Sequence, residues 1–349
     1  MKKCRPTESL NRQICAQVFA TGFVLGMVYC TYSTYYLSQY ESFGEIFKSK
    51  WFKSYDQTLI QRLLKTKMPG KDVIIEKFFE EHASMMTKVV ADQMRILCWV
   101  CTSNNTHKSK AMHVKATWSR RCDKVIFVSE TEDDELPTLK IEAPNGREGL
   151  WVKTVNAFKY VHENFINDYD WFFKADDDAY VVIENMRKML LPYNPDEPAY
   201  FGYHFKQLVL NGYMAGGGGY VLSRHTLKRL VTEAFVGNRT NCPLTPPGMP
   251  IEDFFIGTCL QDIGINPSDS RDFKGHFRFF PTNIDRYVST DLSDQDWFYR
   301  LLYWPYKEKS DCCSKAPISF HYMTPDRFYM MEYLVYNLNI FSVTDLERV

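Results

Sequence analysis

The chain has 349 residues, and its 42 lysines and arginines are balanced by 42 aspartates and glutamates. Zero net charge removes the basic footprint that nucleic-acid binding requires, so no nucleic-acid partner is expected. A hydrophobic content of 45% with 15% aromatic residues excludes a disordered chain and suffices for one large domain plus an appendage, rich in rings that suit apolar sugar faces.

In chain order, the first element is apolar. Ile14 to Leu37 carries no charged residue and exceeds the ~20 residues needed to cross a bilayer. Lys2, Lys3, Arg5 and Arg12 precede it, and Tyr35, Tyr36 and Tyr40 close it. The positive-inside rule and the aromatic belt then predict an uncleaved signal-anchor with the bulk of the chain across the membrane. A cleaved signal peptide is the rival reading, but its apolar region would be shorter, about 7–15 residues, and followed by small residues. The expected layout is a cytosolic tail over 1–13, a transmembrane anchor over 14–37, a stem over 38–92 and a folded domain over 93–349. Within the stem, Glu76 to Val90 reads as an amphipathic helix.

Ten cysteines are present. Cys4, Cys15 and Cys30 fall before or within the anchor. The other seven would face an oxidising lumen and mostly pair, leaving at least one odd thiol. The sequons Asn104-Asn105-Thr106 and Asn238-Arg239-Thr240 suit the same compartment.

Arg95 to Thr102 predicts a buried strand, Ala111 to Arg121 a helix and Lys124 to Ser129 a second strand, an alternation that signals a parallel sheet with crossover helices. Cys98 and Cys101 form a CxxC spacing, but three residues apart on a strand they point to opposite faces, against a redox or zinc role. Asn145, Gly146 and Arg147 open a turn into a helix from Trp151 to Asn164. With Lys153 they read either as a phosphate-receiving helix start or as a turn with surface cations.

Trp171-Phe172-Phe173 predicts a buried strand that runs into Asp176-Asp177-Asp178. Three adjacent carboxylates cannot be buried without a cation, so they face water or hold a metal. At the carboxyl edge of an α/β sheet they suit a hard divalent ion that keeps positions open for phosphate oxygens. Val182 to Leu191 reads as a helix and Ala199 to Tyr203 as a strand. Gly216 to Gly219 lie between apolar strand residues and suit backbone pressed against a ligand. A helix over Ser223 to Phe235 follows.

The proline turn Pro246 to Pro250 delivers Glu252 and Asp253 to a helix start, where acids either cap the helix or do chemistry. Asp296 to Tyr306 is aromatic, either core or sugar platform. Adjacent Cys312 and Cys313 suggest two separate partners, because bonding each other requires strain. His321 lies on a short strand, Ile318 to Tyr322, and Tyr329 to Leu338 reads as a closing helix.

From about Arg95 to about Ile340 these residues resemble the β1,3-glycosyltransferases of the GT-A type, and among them the core 1 β1,3-galactosyltransferases. The resemblance rests on Ile96-Leu97-Cys98-Trp99-Val100, His113 to Trp118, Lys174 to Asp178, Gly212-Tyr213-Met214 with the glycine run, Ile251-Glu252-Asp253, Cys312-Cys313-Ser314 and Ser319-Phe320-His321-Tyr322. It implies a GT-A Rossmann-like mixed α/β sheet flanked by helices, with the 93–349 domain catalytic.

It also implies inverting transfer of galactose from UDP-galactose to the 3-hydroxyl of GalNAc on Ser/Thr of glycoproteins. The same resemblance implies a single-pass type II protein of the Golgi or ER–Golgi membrane and allows a homodimer. Asp176, Asp178 and His321 would hold a divalent metal, normally manganese, and Asp253 would be the general base. Cys101, Asn145, Gly146, Arg147, Lys153, Asp176, His321 and Tyr329 match nucleotide-sugar positions. Trp297 and Tyr322 would pack on the acceptor sugar.

Cys101 stands where relatives carry a hydrophobic residue and is the expected odd thiol. The expected disulfides are Cys98 with Cys122, and Cys312 and Cys313 with Cys242 and Cys259 in an open order. The alternatives are a Fringe-like β1,3-N-acetylglucosaminyltransferase and a catalytically silent, chaperone-like paralogue.

Overall fold

Ile96–Cys101 (β1) and Trp171–Asp176 (β4) are the middle pair of a six-stranded sheet. The computed structural model describes residues 94–206, 209–236, 242, 251–288, 297–305, 307 and 309–338. The expected tail, anchor and stem, the Asn238 sequon, the proline turn at 246–250 and the Trp297 side chain lie outside the described residues.

Lys124–Ser129 (β2) and Thr138–Lys140 (β3) extend the sheet on one side. Tyr220–Ser223 (β9) and Tyr200–Gly202 (β6) extend it on the other, giving the order β3-β2-β1-β4-β9-β6. The first four strands are parallel, and β9 runs antiparallel to both β4 and β6. This is the mixed α/β sheet expected from the sequence.

The continuous apolar runs of β1 and β4 follow from cover on both faces. Ile96, Cys98, Val100, Trp171 and Phe173 join one core, to which the helix Ile183–Leu190 contributes Ile183, Met186 and Leu190. Leu97, Trp99, Cys101 and Phe172 join the other. There the helix Leu150–Phe165 presents Trp151, Val155, Phe158 and Val161, and Trp99 meets Phe158 edge to face at 5.2 Å. Beside this sheet, Tyr180–Val181 (β5), Phe279–Phe280 (β10) and Ser319–Phe320 (β11) form a small one in the order β10-β11-β5. His204–Phe205 (β7) and Tyr213–Met214 (β8) form a two-stranded ribbon.

Three departures from expectation have local causes. The predicted helix from Ala111 to Arg121 is a π turn at His107–Ala111, a short α-helix at Met112–Ala116 and a 3-10 turn at Trp118–Arg121. The break falls at Thr117, outside helical geometry, and the next residue is fixed by a tertiary bond from Trp118 Nε1 to the Ala179 carbonyl, 2.8 Å. The closing helix begins earlier than Tyr329, at Pro325, because proline suits a first helical position.

The third departure corrects the disulfides. Cys98 bridges Cys122 as expected, but Cys242 bridges Cys259, and Cys312 bridges Cys313. Cys312 belongs to the core on one face of the sheet and Cys242 and Cys259 to the core on the other, so the sheet separates the expected partners. Cys101 is free and buried, as expected of the odd thiol.

Candidate metal centre and active site

β1 and β4 end together, with Cys101 in register with Asp176. The chain leaving β4 therefore exposes its acids at the carboxyl edge of the sheet, beside the loop after β1. β11 approaches the same edge and brings His321 to Asp176 and Asp178, 145 and 143 positions later in the chain. One ligand atom from each of these three residues lies within 4.8 Å of the others. His321 Nε2 is 3.0 Å from Asp178 Oδ1 and 3.8 Å from Asp176 Oδ2.

The ring orientation of His321 is fixed from behind. Its Nδ1 donates to the Pro281 carbonyl at 2.9 Å, so Nε2 is the nitrogen that faces the carboxylates. Two carboxylate oxygens and an imidazole nitrogen, all half-buried, form a donor set suited to a divalent cation. Burial alone would raise the Asp178 carboxyl, but hydrogen bonds from His321 and Lys110 outweigh it and hold Asp178 below the usual carboxylate range. Burial alone would lower His321, and the two facing carboxylates turn that into a raised pKa.

Asp177, the middle acid, turns inward. It accepts from Thr102 Oγ1 at 2.8 Å, and burial pushes its carboxyl up to about 6. It ties the end of β4 to the end of β1 and leaves the flanking acids facing His321. Lys110 Nζ donates to Asp178 Oδ2 at 2.9 Å from the helical segment after β1.

Lys174 braces the site from beneath. Its Nζ is buried within β4, 2.7 Å from Asp176 Oδ1 and 3.3 Å from Glu252 Oε2. Burial would lower its pKa, and Asp176 and Glu252 outweigh that and raise it, so it stays charged. Glu252 also accepts from the Tyr220 hydroxyl. Glu252 is thus buried and held through both oxygens, in contrast to the half-buried Asp253 beside it.

Asp253, its neighbour on the helix Glu252–Asp262, is half-buried. It is not the cap of that helix, a position held by Ile251. Instead, Asp253 Oδ2 accepts from the backbone N–H of Gly216 at 2.7 Å and Oδ1 from the N–H of Phe254 at 2.9 Å. Burial raises its pKa against these bonds, which brings a carboxylate closer to the range useful for a general base.

The glycine run lies between Asp253 and His321. A Cβ on Gly216 would fall 3.2 Å from Asp253 Cβ, and one on Gly217 only 2.4 Å from His321 Cε1 and Nδ1. The loop thus presses backbone against both residues, which explains the side-chain-free composition better than flexibility does. Ser319 Oγ holds the Gly218 carbonyl, so the loop is anchored to β11 as well. Next to His321, Tyr322 has a φ of 55°, the single non-glycine residue with positive φ among those described. Its ring stacks on His321 at 4.1 Å and is 52% exposed. The exposed ring beside the cluster offers a flat apolar face of the kind that suits a sugar.

The remaining predicted positions are less convergent. Lys153 is buried and engaged, donating to the Thr102 carbonyl at 2.9 Å and to Glu130 at 2.5 Å, so it links the ends of β1 and β2. Asn145, Gly146 and Arg147 are exposed in the turn leading to Leu150–Phe165, and among the described residues the Arg147 side chain has no partner. Burial pushes the Cys101 thiol up to about 12, so it is a packing residue next to Asp176 and not a nucleophile. Tyr329 is exposed and bonds His113 Nδ1 at 3.0 Å, one turn beyond Lys110. Trp297 opens a short helical turn, Trp297–Leu301, whose next residue, Phe298, is core.

Lys110, Thr102, the bracing of Lys174 by Glu252 and the inward role of Asp177 were not anticipated. Lys174 could have been, since a lysine between Phe173 and Ala175 in a buried strand demands carboxylate partners.

The chain is also similar to known proteins. A family model described as Fringe-like matches residues 91–327. The chain is 38% identical over 270 residues to a glycoprotein-N-acetylgalactosamine 3-beta-galactosyltransferase 1 of Xenopus laevis, covering 76% of this chain and 73% of that one. It is 25% identical over 169 residues to a mouse beta-1,3-glucosyltransferase, covering 48% of this chain and 33% of that one. Among solved structures, an active-site mutant of LgtC aligns with 14% identity and a TM-score of 0.41 over 70% of this chain and 97% of that one.

Proposed function

The chain belongs to the Fringe-like family, and within it to the glycoprotein-N-acetylgalactosamine 3-β-galactosyltransferases, and on that premise we propose that it transfers galactose from UDP-galactose to the 3-hydroxyl of GalNAc on Ser or Thr of glycoproteins, with inversion. The observation that carries this reading is the pairing of a two-carboxylate, one-imidazole cluster with a separately held carboxylate across a strip of bare backbone. A β1,3-N-acetylglucosaminyltransferase and a silent chaperone-like paralogue are the rival readings. The intact triad and the oriented Asp253 favour an enzyme.

The proposed mechanism is one in-line displacement. Asp253 accepts the proton of the acceptor hydroxyl as that oxygen attacks the anomeric carbon, the bond to UDP breaks, and the α-linked sugar becomes β-linked. The Gly216 and Phe254 amides fix the Asp253 carboxylate and still leave each oxygen a lone pair to accept a proton. Asp176, Asp178 and His321 would hold a divalent cation, manganese by the family resemblance, which when bound neutralises charge on the departing diphosphate. Lys174 holds Asp176 and Lys110 holds Asp178, so each carboxylate is braced by a buried or half-buried cation. Arg147 and Tyr329 are proposed nucleotide contacts, and Tyr322 and Trp297 proposed acceptor platforms. The 1–13 tail, 14–37 anchor and 38–92 stem, with the catalytic domain in the Golgi lumen, belong to the same proposal.

The test is turnover of UDP-galactose on a GalNAc-Thr peptide, with and without chelator and added manganese. Product whose linkage is β1,3, formed only with a divalent metal, supports the reading. Transfer to fucose acceptors from UDP-GlcNAc, or UDP binding without any transfer, replaces it.

A further inference from the structure

The closing helix, Pro325–Tyr336, is apolar on both sides. From Phe328 to Tyr336 its one charged residue is Glu332, and that carboxylate points inward to Arg121, at 2.7 and 2.8 Å. Phe328 packs into the core on the same inner side. The outer side carries Met330, Tyr333 and Leu334, exposed to 49%, 57% and 44%, and Leu338 beyond the helix end is 44% exposed. Four large apolar groups at such spacing form an exposed apolar patch of the kind that marks an interaction surface.

Side-chain contacts run from this helix toward the start of β1. Arg121 lies over the Tyr336 ring at 3.6 Å and passes its carbonyl to Arg187 Nη1 at 3.1 Å. Arg187 Nη2 binds Asp123 at 2.7 Å, and Asp123 accepts from the N–H of Ile96 at 2.6 Å. A relay of side chains therefore joins the C-terminal half of the closing helix to the first residue of β1. The chain that enters β1 arrives there, and Val90 is four residues before Met94, a reach of at most about 14 Å.

That arriving segment has a matching need. Over Glu76–Val90, helical spacing puts Phe78, Phe79, Met85, Met86, Val89 and Val90 on one half of the circumference and every charged residue on the other. Fifteen helical residues span about 22 Å and the twelve of the closing helix about 18 Å, so the two stripes are matched in length.

We propose that residues 76–90 dock as an amphipathic helix on the Met330–Tyr333–Leu334 face, so that the stem ends on the catalytic domain and is not a free tether. The segment's apolar half is the occupant, and the path at Ile96 delivers it to the face without a long crossing.

The test is limited trypsin digestion of the full-length protein in detergent, reading the rates of cleavage after Lys77 and Lys88. A docked helix is cut only when it opens. Leu334→Asp on the face and Met86→Asp on the segment should each speed both cuts by about tenfold or more. The double variant should be cut no faster than the faster single. If Leu334→Asp does not fold, Met330→Gln should change the rates in the same direction. Unchanged rates in the face variants overturn the proposal. So does a dimer that Leu334→Asp splits, by light scattering, while both cuts keep their wild-type rates, because a second copy then covers the face.

Discussion

Gly217→Ala tests the site through its backbone. The new Cβ would lie 2.4 Å from His321 Cε1 and Nδ1 and 3.1 Å from Cγ. Carbon atoms settle at about 3.5–4.0 Å, so the imidazole must retreat by about 1 Å or more. It has little room to do so, since Nδ1 is tied to the Pro281 carbonyl at 2.9 Å and the Tyr322 ring is stacked 4.1 Å away. Moving the ring breaks the aim of Nε2 at Asp178, and disturbances of that kind cost about 10–100-fold in metal affinity. The added methyl itself costs about 1–3 kcal/mol in stability. The assay is the metal concentration that half-activates transfer, with melting temperature alongside. Gly218→Ala is the control, because its Cβ would meet Pro281 N at 3.3 Å and nothing closer, so it should shift activation by much less. Gly217→Ala with unchanged metal activation would refute the claim that the glycine run sets the His321 ligand.

Other outcomes follow from the same contacts. Asp178→Asn removes a charged ligand and the partner of both His321 and Lys110. It should weaken metal activation by more than about 100-fold, while circular dichroism stays that of the wild type. Retained activation at wild-type metal levels counts against the triad. Glu332→Gln probes the closing helix. Burial would raise Glu332, but Arg121 and Tyr180 outweigh it and hold it below the usual range. Its contribution is therefore full above about pH 4.3 and is lost as pH falls through the lowered folded value. The variant should lose about 2 kcal/mol at pH 7, roughly 4–8 °C in melting temperature. The deficit should shrink in acid, and a deficit constant down to pH 3 would contradict the assignment.

Much of the framework was legible because it rests on local pattern. The strands Ile96–Cys101, Lys124–Ser129 and Trp171–Asp176 are continuous apolar runs, as strands covered on both faces must be. The acids after Phe173 announced a site because carboxylates cannot follow a buried strand inward without partners. The sequence could not say which acid does what. Asp177 is drawn under Thr102, and Glu252 is spent on Lys174 and Tyr220, both decided by neighbours remote in sequence. His321 reached the metal candidates through family resemblance alone, since no spacing rule links it to Asp176. The disulfide error has the same origin. Strain argues against joining adjacent cysteines, but that argument is blind to the sheet lying between Cys312 and its expected partners.

The central claim is that Asp253 is the base of a metal-dependent sugar transfer, and Asp253→Asn measures it most directly. The amide oxygen can still accept from the Gly216 N–H, so the glycine loop remains held, while the bond from the Phe254 N–H is lost. It cannot take a proton from the acceptor hydroxyl. The account predicts that kcat for galactose transfer to a GalNAc-Thr peptide falls by about 10²–10⁴, while UDP and manganese affinity by calorimetry and the melting temperature stay close to wild type. Turnover within about threefold of wild type, with binding intact, would contradict it.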